Sequence, residues 1–212
     1  MRKGIVWFSV LTGIFSLTTC TKDVYVPNTC FKEDILPIFV SNCTMSGCHN
    51  TIDKKEGYDL SNYDGIMKGV KVGKPNSSEI FHSISGNDPE MPEKPYPKLS
   101  KQDVTKIKSW IQMGAKNSSN CTDCDTTNYT YSGRVNTIIQ TWCKGCHSAT
   151  SPGGGINLSS YAGVVSSIPN NQLLGSIKHV STFSAMPKGT AQLSQCDIDA
   201  IEKWINAGFP NN

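Results

Sequence analysis

Cys143-Lys144-Gly145-Cys146-His147 sets two thiols on one short turn with an imidazole directly behind them. Thiols in a C-x-x-C-H array can add across the two vinyl groups of haem to form thioethers, and the same turn carries the histidine toward the iron. A second array lies upstream in Cys43-Thr44-Met45-Ser46-Gly47-Cys48-His49, two residues longer between its cysteines. Ile35 stands eight residues before Cys43 and Val135 eight before Cys143. If these helix positions correspond, Cys43 matches Cys143 and the insertion falls inside the loop. The alternative is attachment through Cys48 alone, with Met45 in the other slot, which would leave Cys43 an unpaired thiol.

Zinc is the competing chemistry. Cys121-x2-Cys124, eighteen residues, then Cys143-x2-Cys146 falls within the spacing of a structural zinc site. That reading gives His147 no role, and the first motif has no upstream cysteine pair to match.

The elements that must position these arrays occur twice. Gly57-Tyr58-Asp59-Leu60-Ser61-Asn62-Tyr63-Asp64-Gly65 begins eight residues after His49, and Gly155-Ile156-Asn157-Leu158-Ser159-Ser160-Tyr161-Ala162-Gly163 begins eight after His147. The shared pattern is G-x-x-L-S-x-Y-x-G, and identical offsets mark an internal repeat. Further on, Leu99-Ser100 with Asp103, Ile107, Trp110, Ile111 and Gly114 answers to Leu193-Ser194 with Asp197, Ile201, Trp204, Ile205 and Gly208. Serine opens each segment, an acid follows, apolar residues recur at helical spacing and glycine closes it. That predicts a capped amphipathic helix. Asp34 to Ser41 and Arg134 to Thr141 are shorter apolar helix candidates ahead of each motif, and the polar run Asn117 to Asn120 separates the halves.

Helix, C-x-x-C-H array, Leu/Tyr loop and final helix, in that order, resemble a small cytochrome c domain. The whole resembles the tandem cytochrome c domain proteins found among exported bacterial lipoproteins. The resemblance implies an all-α, loop-rich fold of two tandem domains, 30–117 and 131–212, joined by a linker at 118–130. It also implies two covalently bound haem c groups, attached through Cys43 and Cys48 and through Cys143 and Cys146. His49 and His147 are the implied proximal iron ligands. Methionine is the usual sixth ligand, and Met91 in Glu90-Met91-Pro92 and Met186 in Ala185-Met186-Pro187 recur at matching places. The proline biases each methionine toward extended backbone on a loop. His82 and His179 are the competing ligands, but they do not occupy equivalent positions. Tyr63 and Tyr161 are candidate donors to haem propionates, with plain packing as the alternative.

The first residues read as a leader. Arg2 and Lys3 precede the apolar stretch Ile5 to Leu17, too short to span a bilayer, and Leu17-Thr18-Thr19-Cys20 resembles a lipobox. This predicts a signal peptide over 1–19, acylation of Cys20, a tether over 20–29, and a chain exported and held at a membrane by lipid. Removing the leader lowers the formal net charge from +3 to +1 and leaves Arg134 as the sole arginine, which excludes a basic nucleic-acid surface. Of the nine cysteines, Cys30, Cys121, Cys124 and Cys196 remain after the lipid and haem sites are filled, an even number suited to disulfides. In the family the first and last helices of a domain pack together, which implies Cys30–Cys121 and Cys124–Cys196. Sequence leaves Cys121–Cys124 open.

The function implied is one-electron transfer to and from redox partner proteins. A peroxidase-like haem enzyme or small oxidoreductase needs an open iron site and a distal acid or base, whereas both halves supply Met-Pro and neither an obvious distal carboxylate. A haem sensor needs only a labile methionine.

Overall fold

The computed structural model describes residues 29–212 apart from 120, 122–124, 126 and 151. The leader, Cys20, the tether up to residue 28 and Cys124 lie outside the described residues. Among those described the architecture is all-α and loop-rich, with no strand and a single isolated bridge between His147 and Pro152. No described helix is long and apolar enough to cross a membrane.

A π-helical turn, Phe31–Ile35, runs into α1, Leu36–Cys43; short helices α2, Tyr63–Met67, and α3, Glu79–Ile84, follow, and α4, Lys101–Gln112, closes the first half. The second half repeats the order: a π turn at Tyr131–Val135 enters α5, Asn136–Trp142, followed by α6, Tyr161–Ser166, α7, Gln172–Ile177, and α8, Gln195–Asn206. The helices entering each motif thus begin three residues earlier than apolar periodicity suggests, because Phe31 and Tyr131 are buried and extend the packed stripe.

The caps are those the sequence predicts. Ser100 Oγ accepts from the Asp103 amide at 3.1 Å and Ser194 Oγ from the Asp197 amide at 3.1 Å, each satisfying an orphan N–H of the first turn. Asn62 and Ser160 cap α2 and α6 in the same way. The second glycine of the repeated pattern has a steric reason. A Cβ at Gly65 would lie 1.7 Å from the Asp59 carbonyl oxygen, and one at Gly163 would lie 2.0 Å from that of Asn157. Only glycine lets the helix start come down on that loop.

Each half is centred on an aromatic triad. Phe31 lies tilted on Trp110 with centroids 5.4 Å apart and meets Tyr63 edge-on at 5.0 Å. Tyr131 lies on Trp204 at 5.5 Å and meets Tyr161 edge-on at 5.0 Å. Both are arrangements that aromatic quadrupoles favour. Trp110 Nε1 donates to the Lys116 carbonyl at 3.0 Å, and Trp204 Nε1 to that of Pro210 at 2.9 Å. Tyr63 Oη donates to the Ala115 carbonyl at 2.8 Å, and Tyr161 Oη to that of Phe209 at 2.7 Å. Both tyrosines, offered above as propionate donors, are therefore occupied in tying their loop to the chain beyond the last helix.

The chain ends of each half are stitched alike. The Lys32 amide donates to the Ser118 carbonyl at 3.0 Å, and the Ser132 amide to the Asn212 carbonyl at 2.7 Å. A disulfide joins Cys30 to Cys121, with Cα atoms 5.7 Å apart, beside the first of these. It takes Cys121 out of any zinc set, which removes that alternative. Cys196 is also disulfide-bonded; its expected partner, Cys124, lies outside the described residues.

Candidate haem site

α1 delivers Cys43 at its last turn, and the chain then doubles back. The His49 amide donates to the Cys43 carbonyl at 2.9 Å, and the His147 amide to the Cys143 carbonyl at 2.9 Å. The same bond closes both arrays although the first is two residues longer, while the Cys48 amide donates to the Met45 carbonyl at 3.0 Å where the Cys146 amide donates to that of Cys143 at 3.1 Å, so Cys43 and Met45 share the contacts that Cys143 makes alone. Thr44 and Met45, after Cys43, are buried, with Thr44 Oγ1 bonded to the Val40 carbonyl at 2.7 Å. Each histidine carbonyl then accepts from the leucine of the repeated pattern: Leu60 N to His49 O at 2.8 Å, and Leu158 N to His147 O at 2.7 Å.

The imidazoles are oriented from behind. His49 Nδ1 lies 3.0 Å from the Lys55 carbonyl oxygen and His147 Nδ1 lies 3.3 Å from that of Ile156. A carbonyl only accepts, so Nδ1 carries the proton and Nε2 presents a lone pair, which is the tautomer a metal ligand requires.

In the first half, Cys43, Cys48, His49 and Met91 all line one cleft with about 200 Å³ of room for water, partly open to solvent. Phe39, Leu60, Ile80 and Ile84 supply its apolar wall. Two thiols, an imidazole and a thioether around an apolar slot form a donor set that fits haem c. In the second half, Cys143, Cys146 and His147 take the same turn. The methionine loops are also pinned alike, with the Met91 amide on the Ser83 carbonyl at 2.9 Å and the Met186 amide on that of Ser176 at 3.1 Å.

Three side chains around the first methionine loop, Lys98, Lys55 and Glu93, escaped the sequence, where no spacing signals them. Lys98 Nζ donates to the carbonyls of Glu90 at 3.0 Å and Pro92 at 2.8 Å, bracketing Met91. An ion pair of 2.8 Å between Lys55 and Glu93 ties the loop behind His49 to the loop carrying Met91. In the second half, His179 Nε2 sits 3.0 Å from the Met186 carbonyl. His82 lines the first cleft and is exposed.

The two arrays meet. α1 packs on α5, Ser41 Oγ donates to the Thr141 carbonyl, and a Cβ at Gly145 would lie 1.5 Å from the Ser41 carbonyl oxygen. On another edge, a Cβ at Gly189 would lie 2.6 Å from Thr51 Oγ1, so the loop after Met186 touches the loop after His49.

Cys43, Cys48, Cys143 and Cys146 are all free thiols. Burial pushes Cys43 and Cys143 up to about 12 from an ordinary 9.0, which keeps them protonated and poor nucleophiles. In haem-free protein at pH 8, iodoacetamide is expected to label Cys48 before Cys43 and Cys143, read by peptide mass; equal rates would refute that burial. The folded thiols hold their protons to higher pH than unfolded ones. Their stabilising effect is therefore complete below pH 9 and declines as pH rises from about 9 to about 12.

Residues 46–94 match the family model described as Planctomycete cytochrome C. The match starts inside the first array, after Cys43, and spans Cys48, His49 and Met91. No curated protein and no solved structure matches the chain.

Proposed function

We propose that this cytochrome c-like chain is a dihaem electron carrier, with one haem c in each half. The observation that carries the reading is the convergence of Cys43, Cys48, His49 and Met91 on one apolar cleft, the last three of them within the residues matched by a cytochrome c family model. The same turn, the same histidine tautomer and the same methionine anchor support an equivalent site at Cys143, Cys146, His147 and Met186.

Bound there, haem supplies a one-electron ferric/ferrous couple. The protein's work is to hold that couple still. Both thioether cysteines fix the macrocycle, the Lys55 and Ile156 carbonyls fix the imidazoles, and Lys98 and His179 hold the methionine loops. The apolar wall excludes water. Partners on this reading are one-electron redox proteins, and the place of work is outside the cytoplasm, with Cys20 as the membrane anchor. The Cys30–Cys121 disulfide supports an oxidising compartment.

The test is the haem count and optical spectrum of protein matured with haem. Two covalently attached haems by intact mass are expected, low-spin in both oxidation states, with a far-red sulfur-to-iron band that Met91→Ala and Met186→Ala each reduce by half. A single haem, or ready carbon monoxide binding by the unaltered protein, would replace the carrier by the enzyme or sensor reading.

A further inference from the structure

The two sites differ in charge. The first cleft is lined by Lys55, Glu56, Glu79, Glu90, Glu93 and Lys94. The repeat places Gly153, Gly154, Gln172, Ala185, Lys188 and Gly189 at the matching positions, read outward from the paired glycines, helices and Met-Pro steps. Lys55 and Glu93 neutralise one another across 2.8 Å. Glu56, Glu79 and Glu90 then outweigh Lys94, whereas the second site keeps only the positive Lys188. Lys98, which brackets Met91, corresponds to the neutral Gln192 and offsets one carboxylate without reversing the sign.

Resting on the dihaem reading, we infer that these side chains order the two reduction potentials, the first-half site being the lower and the second-half site the higher. Negative charge near an iron favours its ferric state and positive charge the ferrous state; these side chains are exposed, so solvent and salt screen them and the effect is largest at low ionic strength. An electron shared between the sites therefore resides mainly on the second. With α1 against α5 and Gly145 against Ser41, the arrays adjoin, so this ordering gives the pair a direction: a one-electron donor protein is served at the first half and an acceptor at the second.

Spectroelectrochemical titration of the two-haem protein at low ionic strength tests this, with Glu56→Gln/Glu90→Gln and Lys188→Glu as probes. The double variant is expected to shift the lower step upward and leave the upper step in place. Lys188→Glu is expected to shift the upper step downward alone. Shifts attached to the opposite steps, or no shift in either variant, would overturn the ordering. A chain carrying one haem by mass would instead overturn the dihaem reading, and that is seen before any titration begins. Since exposed charges are screened by salt, both shifts should shrink as ionic strength rises.

Discussion

Trp204→Ala is expected to destabilise the second half by about 3–5 kcal/mol. Trp204 is fully buried, stacked on Tyr131 and edge-on to Tyr161. Truncation leaves a void that the neighbouring helices cannot fill, since Ile201 and Val135 are themselves fully buried and already packed. It also strips the half-buried Pro210 carbonyl of its donor, a bond that water can replace. Denaturant unfolding followed by far-UV circular dichroism measures the effect. Trp204→Phe separates its causes: it keeps most of the ring contact and loses the N–H, so it should cost about 1 kcal/mol. A loss below 1 kcal/mol for the alanine variant would mean the site collapses on itself and the triad is not the centre of the half. Trp110→Ala is expected to repeat the result in the first half.

Gly145→Val is expected to push the halves apart. The added Cβ would overlap the Ser41 carbonyl oxygen at 1.5 Å, and the obstacle is backbone, which no rotamer change relieves. Overpacking of this kind costs about 1–3 kcal/mol and more where the backbone must move. Lys144 next to it is exposed, so Lys144→Ala should stay within about 0.5 kcal/mol of the parent. The contrast identifies the interface, because both changes fall in the same attachment array. Thermal unfolding reads the loss at roughly 2–4 °C per kcal/mol for a chain of this size. Equal stability in the two variants would show that α1 and α5 do not meet this way in solution.

The sequence by itself determined the chemistry-bearing arrays, the repeat and the caps. Each of these is written in short-range spacing: thiols and imidazole on one turn, Ser100 with Asp103, Ser194 with Asp197, Gly65 eight residues behind Gly57. Short-range signals survive folding because the bonds that read them, such as His49 N to Cys43 O, close within a few residues. The Cys30–Cys121 bridge came from the resemblance to a small cytochrome c domain, whose first and last helices pack together, and the structure forms it.

What only the tertiary structure decided is everything that rests on residues far apart in the chain. Tyr63 and Tyr161 turn from the cofactor to the Ala115 and Phe209 carbonyls because the last helix ends within reach of their hydroxyls. Lys98 and the Lys55–Glu93 pair surround Met91 through loop geometry that has no period to read. Gly145, between the two cysteines of the second array, proves to be fixed by the Ser41 carbonyl of the other half. Close packing is a property of surfaces brought together, and no spacing along one strand of sequence records which backbone oxygen a missing Cβ makes room for.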